Sequence, residues 1–177
     1  MTQVTVSIDV STSSGGNNTC FAAGTQVYLA DGTTMAIEKL QVGMEMLAYD
    51  EKEQKYKTAE IEVVQRLRNR IKNIIDIYLS NGKIITATTS HPILTNRGWC
   101  AGEEAAAIRE YHDLVIGTLE EGDKVFSPYS ENVYIEKIVP RPDLADIPVY
   151  SLDIEPYDTY IVEGIVVHNV ETSVPVK

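Results

Sequence analysis

An all-β domain is the fold class this sequence predicts, and three observations carry that reading. The apolar residues come in short runs of strand length, the runs are cut at intervals by turn signals (Asp31-Gly32, Asn81-Gly82, Glu121-Gly122-Asp123 and Glu163-Gly164), and a single segment has the composition of a helix. From the N-terminus, Val4, Val6, Ile8 and Val10 alternate weakly before the chain dissolves into Ser11-Thr12-Ser13-Ser14-Gly15-Gly16-Asn17-Asn18-Thr19, which reads as a flexible linker. From Phe21 the texture changes. Strands are predicted at Gln26 to Ala30, stopped by Asp31-Gly32, at Met44 to Tyr49, at Lys57 to Leu67, and at Ile74 to Leu79 and Lys83 to Thr88 on either side of Asn81-Gly82. Further strands are predicted at Asp123 to Phe126, Val133 to Ile138 and Val149 to Ile154, and at Tyr160 to Val162 and Ile165 to His168 around Glu163-Gly164. Glu103 to His112, with Ala105-Ala106-Ala107, is the one short helix. Residues 170–177 are too short and polar to fold alone and read as a second flank.

Composition bounds what such a domain can do. A chain of 177 residues with 44% apolar and 23% charged residues fits one soluble globular domain with a sizeable core. Its net charge of -11 disfavours the phosphate backbone of nucleic acids and an anionic membrane surface as partners. No window approaches a membrane-spanning run, and the N-terminus lacks the basic start and apolar stretch of a secretion signal. The two cysteines, Cys20 and Cys100, cannot build a disulfide framework, and neither lies in a Cys-x-x-Cys pair. At most one bridge could form between them.

Two junctions stand out, because Cys20 and the pair His168-Asn169 each sit where patterned sequence meets featureless sequence. The segment Cys20-Phe21-Ala22-Ala23-Gly24-Thr25-Gln26-Val27 resembles the opening block of inteins and related Hedgehog/intein-type (HINT) self-processing domains. Thr88-Thr89-Ser90-His91-Pro92-Ile93 resembles their internal Thr-x-x-His block, and Gly164-Ile165-Val166-Val167-His168-Asn169 their closing block. Val149-Tyr150-Ser151-Leu152 and Asp158-Thr159-Tyr160-Ile161-Val162 are similar to the strand segments that precede the closing block. Four blocks in order, with matching ends, span the length of a mini-intein that has no inserted endonuclease.

The resemblance implies a horseshoe-like HINT fold in which two pseudo-symmetric β halves bring both termini together. It divides the chain into a flank over 1–19, a self-processing domain over 20–169 and a second flank over 170–177. It implies a monomer that needs no cofactor or metal and acts on its own flanking segments, with water, a thiol or an amine as nucleophile. Catalysis would fall to Cys20, Thr88, His91, His168 and Asn169, with Asp153 and Asp158 as assisting residues and Thr19 and Val170 beside the scissile bonds.

The residues support the same chemistry directly. A thiol on Cys20 lies one residue from the Thr19 carbonyl, so attack through a five-membered ring converts the Thr19-Cys20 amide into a thioester, and proximity is built into the chain. The obstacle is amide resonance. Twisting the bond by ~12° costs about 1 kcal/mol, which a folded site can supply, and protonation of the nitrogen completes the step. His91 is the candidate acid, since an unperturbed imidazole titrates at pH ~6.5, and Pro92 biases it to extended backbone. Thr88, three residues earlier at a predicted strand end, can hold the scissile carbonyl or nitrogen with its hydroxyl. An isolated Thr-x-x-His would be an ordinary strand end; the position after Cys20 reverses that preference.

At the other junction the Asn169 side-chain amide can attack its own carbonyl, closing a succinimide and releasing the Val170 amine. An amide nitrogen is a poor nucleophile, so the carbonyl must be polarised and the leaving nitrogen protonated, for which His168 has the right chemistry. The bland alternative is a capped strand end, where Asn is common.

Two departures from splicing inteins shape the expectation. Their C-terminal neighbour is Cys, Ser or Thr, whereas Val170 has no nucleophile for transesterification. Ser151 stands where an Asp is usual and Asp158 where a His is usual, although Asp153 shares the strand face of Ser151. Both features resemble the bacterial intein-like class. The expectation is single-turnover cleavage at both ends, with low-efficiency splicing if the freed Val170 amine attacks the thioester.

Other residues carry weaker signals. Cys100, beside Trp99, reads as a small core hydrophobe; His112 as a surface residue near a helix end; Glu103-Glu104 as a solvated helix start. A cysteine hydrolase acting in trans through Cys20 and His91 would have no use for Asn169. A zinc site of Cys20, His91 and His168 follows no zinc-ribbon or finger pattern, and zinc bound there would inhibit. A non-enzymatic all-β binding module rests on the strand pattern alone.

Overall fold

Alternating apolar runs and turns fold into a continuous β structure, described in this computed structural model over residues 7–10, 20–68, 73–111, 114, 116–144 and 146–169. Thr19, His112 and Val170, and most of the two flanks, lie outside the described residues. In chain order the strands are β1 (Ser7–Val10), β2 (Phe21–Ala22), β3 (Gln26–Tyr28), β4 (Thr34–Ala36), β5 (Glu45–Asp50), β6 (Lys55–Arg68), β7 (Ile74–Leu79) and β8 (Ile84–Thr88). They continue with β9 (Ile93–Thr95), β10 (Gly98–Ala101), β11 (Ile116–Thr118), β12 (Lys124–Val125), β13 (Val133–Pro140), β14 (Pro148–Glu155), β15 (Thr159–Val162) and β16 (Ile165–His168). The single α-helix among the described residues, α1 (Glu104–Glu110), falls where the alanine run predicts it.

The hairpin signals act as their chemistry requires. At Asn81-Gly82, Gly82 takes φ +85° and Leu79 N–H bonds the Lys83 carbonyl at 2.9 Å, closing β7 onto β8. At Glu163-Gly164 both residues have positive φ, +49° and +87°, the geometry of a type I′ turn between β15 and β16. Differences lie mostly at element ends and in short strands. Within the weakly alternating stretch before the linker, Ser7–Val10 pairs in parallel with Val64–Leu67 of β6. β9 and β10 were not foreseen, because their three- and four-residue spans show no resolvable alternation.

Strand order explains why distant residues meet. β6 is long enough to serve three partners, β5 along its first half and β14 and β1 along its second, and β14 in turn runs beside the short strand β2. β2 in turn pairs β8 through Phe21 and Ala87, which sets Cys20 next to the end of β8. β16 pairs β9 through Val167 and Ile93, and His168 N–H bonds the Pro92 carbonyl at 3.1 Å. The six-residue stretch from Thr88 to Ile93 therefore touches the first strand of the domain on one side and the last on the other. Thr159 adds a lateral tie: its buried hydroxyl accepts from Tyr49 N–H at 2.8 Å and donates to the Tyr49 carbonyl at 2.7 Å, anchoring the start of β15 on β5.

Apolar side chains lock this topology in three groups. The largest runs from Phe21 and Val27 through Ile77, Ile85, Leu152 and Tyr160; a second surrounds Trp99, Tyr111, Ile161 and Val166; the smallest packs Cys20 with Leu67, Ile74 and Val149. A charged fork secures the β9–β10 turn. Arg97 donates to both carboxylate oxygens of Asp123 at 2.9 and 2.7 Å and to the Thr118 carbonyl at 2.8 Å, and the nearly buried Asp123 also accepts from Glu120 N–H. Replacing Arg97 strands that carboxylate. In a chain with Cys20 and Asn169 changed to Ala, Arg97→Met is expected to cost about 2 kcal/mol, read from the urea unfolding midpoint; a loss under about 0.5 kcal/mol would show the fork to be ornamental.

Candidate functional site

At the N-terminal junction the backbone is gripped on both sides of Cys20. Cys20 N–H donates to the Thr88 hydroxyl at 3.0 Å, and Thr88 N–H donates to the Cys20 carbonyl at 2.9 Å. The Thr88 hydroxyl reaches the same carbonyl only weakly, at 3.4 Å. Cys20 is fully buried and packs among Leu67, Ile74 and Val149. Of the two atoms proposed for Thr88 from sequence, its hydroxyl meets the nitrogen; the Thr19 carbonyl lies outside the described residues. Cys100 is buried against Thr95 and is not bridged to Cys20.

His91 sits between the two junctions. Its ring packs 4.0 Å from that of Phe21, the residue after Cys20, and its Nε2 lies 2.9 Å from the His168 carbonyl oxygen. A carbonyl only accepts, so Nε2 carries the proton and Nδ1 presents a lone pair. Nδ1 is buried with no hydrogen-bond partner among the described residues. Burial foremost drives the imidazole down to about 3, partly offset by its bond to the His168 backbone. The unperturbed titration assumed from sequence does not apply, and His91 is neutral at pH 7 in the folded chain.

The C-terminal junction is more crowded. The Asn169 amide Nδ2 donates to Asp153 Oδ1 at 3.0 Å and the Ile154 carbonyl at 3.1 Å, with Asp158 Oδ1 at 3.4 Å. Three acceptors around one atom fix it as the nitrogen, because a flipped amide would set oxygen against all three. Asn169 Oδ1 is buried without a partner among the described residues. The Asn169 main-chain carbonyl accepts from Tyr111 Oη–H and from His168 Nδ1–H, both at 2.9 Å. Its N–H bonds the carbonyl of Asp158, a residue at φ +60° that Asp tolerates better than most. His168 is held edge-on between Trp99 and Tyr111, with ring centroids 5.0 and 5.1 Å away.

The structure thus brings Thr88 to Cys20, His91 to His168, and Asp153 with Asp158 to Asn169. Ser151, in the position where an Asp was missing, is fully buried with a hydroxyl unpartnered among the described residues, while Asp153 two residues on reaches the amide. Sequence reading missed Tyr111 and Glu155. Burial, then Asp158, Asp153 and Glu62, push Glu155 up to about 7. Its i+2 spacing from Asp153 on one strand face was a readable signal; Tyr111, 58 residues from Asn169, had none. Among the described residues no three His, Cys, Asp or Glu side chains are grouped to hold a metal.

The chain is similar to known proteins in family and in fold. A family model described as the intein splicing domain matches residues 27–169. A DnaB intein from Synechocystis sp. PCC 6803 superposes with a TM-score of 0.70 at 19% identity, covering 86% of this chain and 99% of that one. A bacterial intein-like domain from Clostridium thermocellum gives 0.68 at 21% identity, covering 85% of this chain and 98% of that one. These likenesses show the fold, an open and mostly β structure with one short helix. No curated protein matches.

The neutral, buried His91 makes a prediction about stability. In the unfolded chain a histidine takes up a proton below pH ~6.5, whereas the native ring stays neutral down to about 3, so native stability falls as pH drops through that window. In a Cys20→Ala, Asn169→Ala background, urea midpoints between pH 6.5 and 4 are expected to fall more steeply with His91 present than with His91→Gln, by about 1 kcal/mol per pH unit. Parallel pH profiles would mean that His91 charges freely in the folded state.

Proposed function

The chain belongs to the family of intein splicing domains, which process their own polypeptide autocatalytically and act on their own flanking segments, and from that premise we propose which bonds it cuts and which side chains cut them. Residues 20–169 are the processing domain, and 1–19 and 170–177 are the segments it releases. One observation carries the proposal. Both junction residues are tied to the same short stretch, Cys20 through Thr88 and His168 through His91.

At the first junction Cys20 Sγ attacks the Thr19 carbonyl carbon, the bond to the Cys20 nitrogen breaks, and a thioester replaces the amide. The neutral His91, with a lone pair on Nδ1, takes the thiol proton rather than starting as an acid, and returns it to the nitrogen that Thr88 holds. Water or an added thiol then releases the flank. Full burial of Cys20 favours attack on the neighbouring carbonyl and disfavours a peptide arriving from outside, so the trans hydrolase is the weaker reading.

At the second junction Asn169 Nδ2 attacks the Asn169 carbonyl carbon, giving a succinimide and the free Val170 amine. The Asp153 carboxylate at 3.0 Å supports a role in accepting the Nδ2 proton, with Asp158 as a second acidic neighbour. His168 Nδ1–H, already on the carbonyl oxygen, polarises it. With no side-chain nucleophile on Val170, the outcome is cleavage at both ends, and ligation is a minor product of the Val170 amine attacking the thioester. No cofactor, metal or nucleic acid enters this scheme, and the chain works once, as a monomer.

Mass spectrometry of the full chain, with and without a small thiol, tests the scheme. Cys20→Ala is expected to abolish cut ends at Thr19 while residues 170–177 are still released. Asn169→Ala should do the converse, and His168→Ala should slow the C-terminal cut by about 100-fold. Wild-type protein that stays full-length through days in thiol would refute it.

A further inference from the structure

The Asn169 carbonyl is met by two donors from different parts of the fold, and only one of them belongs to a closing-block motif. We propose that Tyr111 is a catalytic residue for the C-terminal cut: its hydroxyl and His168 Nδ1–H together form the oxyanion hole for the tetrahedral intermediate of Asn169 cyclisation. The proposal rests on the reading of Asn169 cleavage given above.

Geometry carries it. Tyr111 Oη–H and His168 Nδ1–H both point at Asn169 O from 2.9 Å, so two hydrogen bonds converge on the one oxygen that gains charge when Nδ2 adds to the carbonyl carbon. As that bond forms, the carbonyl π pair moves onto the oxygen and the Asp153 carboxylate takes one Nδ2 proton. On collapse the pair returns, the carbon–nitrogen bond to Val170 breaks with its electrons on nitrogen, and the Val170 amine gains a proton in place of the one lost. The products are a succinimide and an amine, with nothing else consumed. Donors that already face the oxygen in the resting state need no reorganisation when charge arrives.

Placement of Tyr111 fits that task better than a purely structural one. It sits at the C-terminal end of α1, its N–H closing the helix on the Ala107 carbonyl at 2.9 Å, and it is fully buried beside Trp99, Ile161 and Val166. A packing tyrosine could bury its ring there and send its hydroxyl elsewhere. Instead the hydroxyl is spent on the terminal carbonyl of the domain, in a water-poor setting that strengthens such a bond as charge develops. The ring is also edge-on to His168, so one side chain donates to the oxygen and steadies the other donor.

The test measures release of residues 170–177 by mass spectrometry in the full chain carrying Cys20→Ala, where only the C-terminal cut remains. Adding Tyr111→Phe is expected to slow release by about 100- to 1000-fold, the usual cost of one oxyanion-hole donor. Thiol-induced cleavage at Cys20, followed in the Tyr111→Phe, Asn169→Ala chain, reports whether the fold survives. Site-specific fluorotyrosine at 111, a stronger donor with the ring kept, should accelerate release in neutral solution and covers the case in which the Phe variant misfolds. Release unchanged by both replacements would overturn the proposal while leaving Asn169 cleavage standing. No release from Cys20→Ala alone would overturn both.

Discussion

The hydrogen bond from His91 Nε2 to the His168 carbonyl is the constraint on which the site depends. It joins residues 77 positions apart, and it fixes three things together. It sets the His91 tautomer, leaving the Nδ1 lone pair without a partner among the described residues. It pins the residue before Asn169, so that the terminal carbonyl meets Tyr111 and the side-chain amide meets Asp153. In the proposed mechanism it also couples a proton taken up on His91 to the peptide unit before Asn169. The β9–β16 pairing at Ile93 and Val167 and the His168 N–H to Pro92 bond make that contact a property of the sheet rather than of two mobile side chains.

The site is costly to build. His91 Nδ1, Thr89 Oγ1, Ser151 Oγ, Tyr160 Oη and Asn169 Oδ1, with Gln65 Oε1 beside Ser151 in the β6–β14 ladder, are all buried without hydrogen-bond partners among the described residues. Each such group costs roughly 1–3 kcal/mol relative to a satisfied one. Their number near the two junctions is the pattern expected where local rules give way to function. The three apolar groups that close around Cys20, Trp99 and Phe21 offset this cost, and they also exclude the water that would charge His91.

Much of this was legible in the sequence, and the reasons it stopped being legible are physical. β7 and β16 coincide with the predicted Ile74 to Leu79 and Ile165 to His168, because a glycine turn fixes one end of each and strong apolar runs fill the rest. Cys20, Thr88, His91, His168 and Asn169 were singled out by motif, and Asp153 by sharing a strand face with Ser151. What escaped depends on long-range placement. The neutrality of His91 comes from burial, which no local pattern reports. Tyr111 reaches Asn169 only because α1 docks against β10 and β11, and its immediate sequence carries no sign of it.

The most direct test is the ionisation and tautomer of His91 itself, read by long-range 1H–15N correlations in chain labelled at histidine, with Cys20 and Asn169 replaced by Ala to hold it unprocessed. At pH 6 the account predicts a neutral ring with its proton on Nε2 and an unprotonated Nδ1. An imidazolium, or a proton on Nδ1, would contradict it.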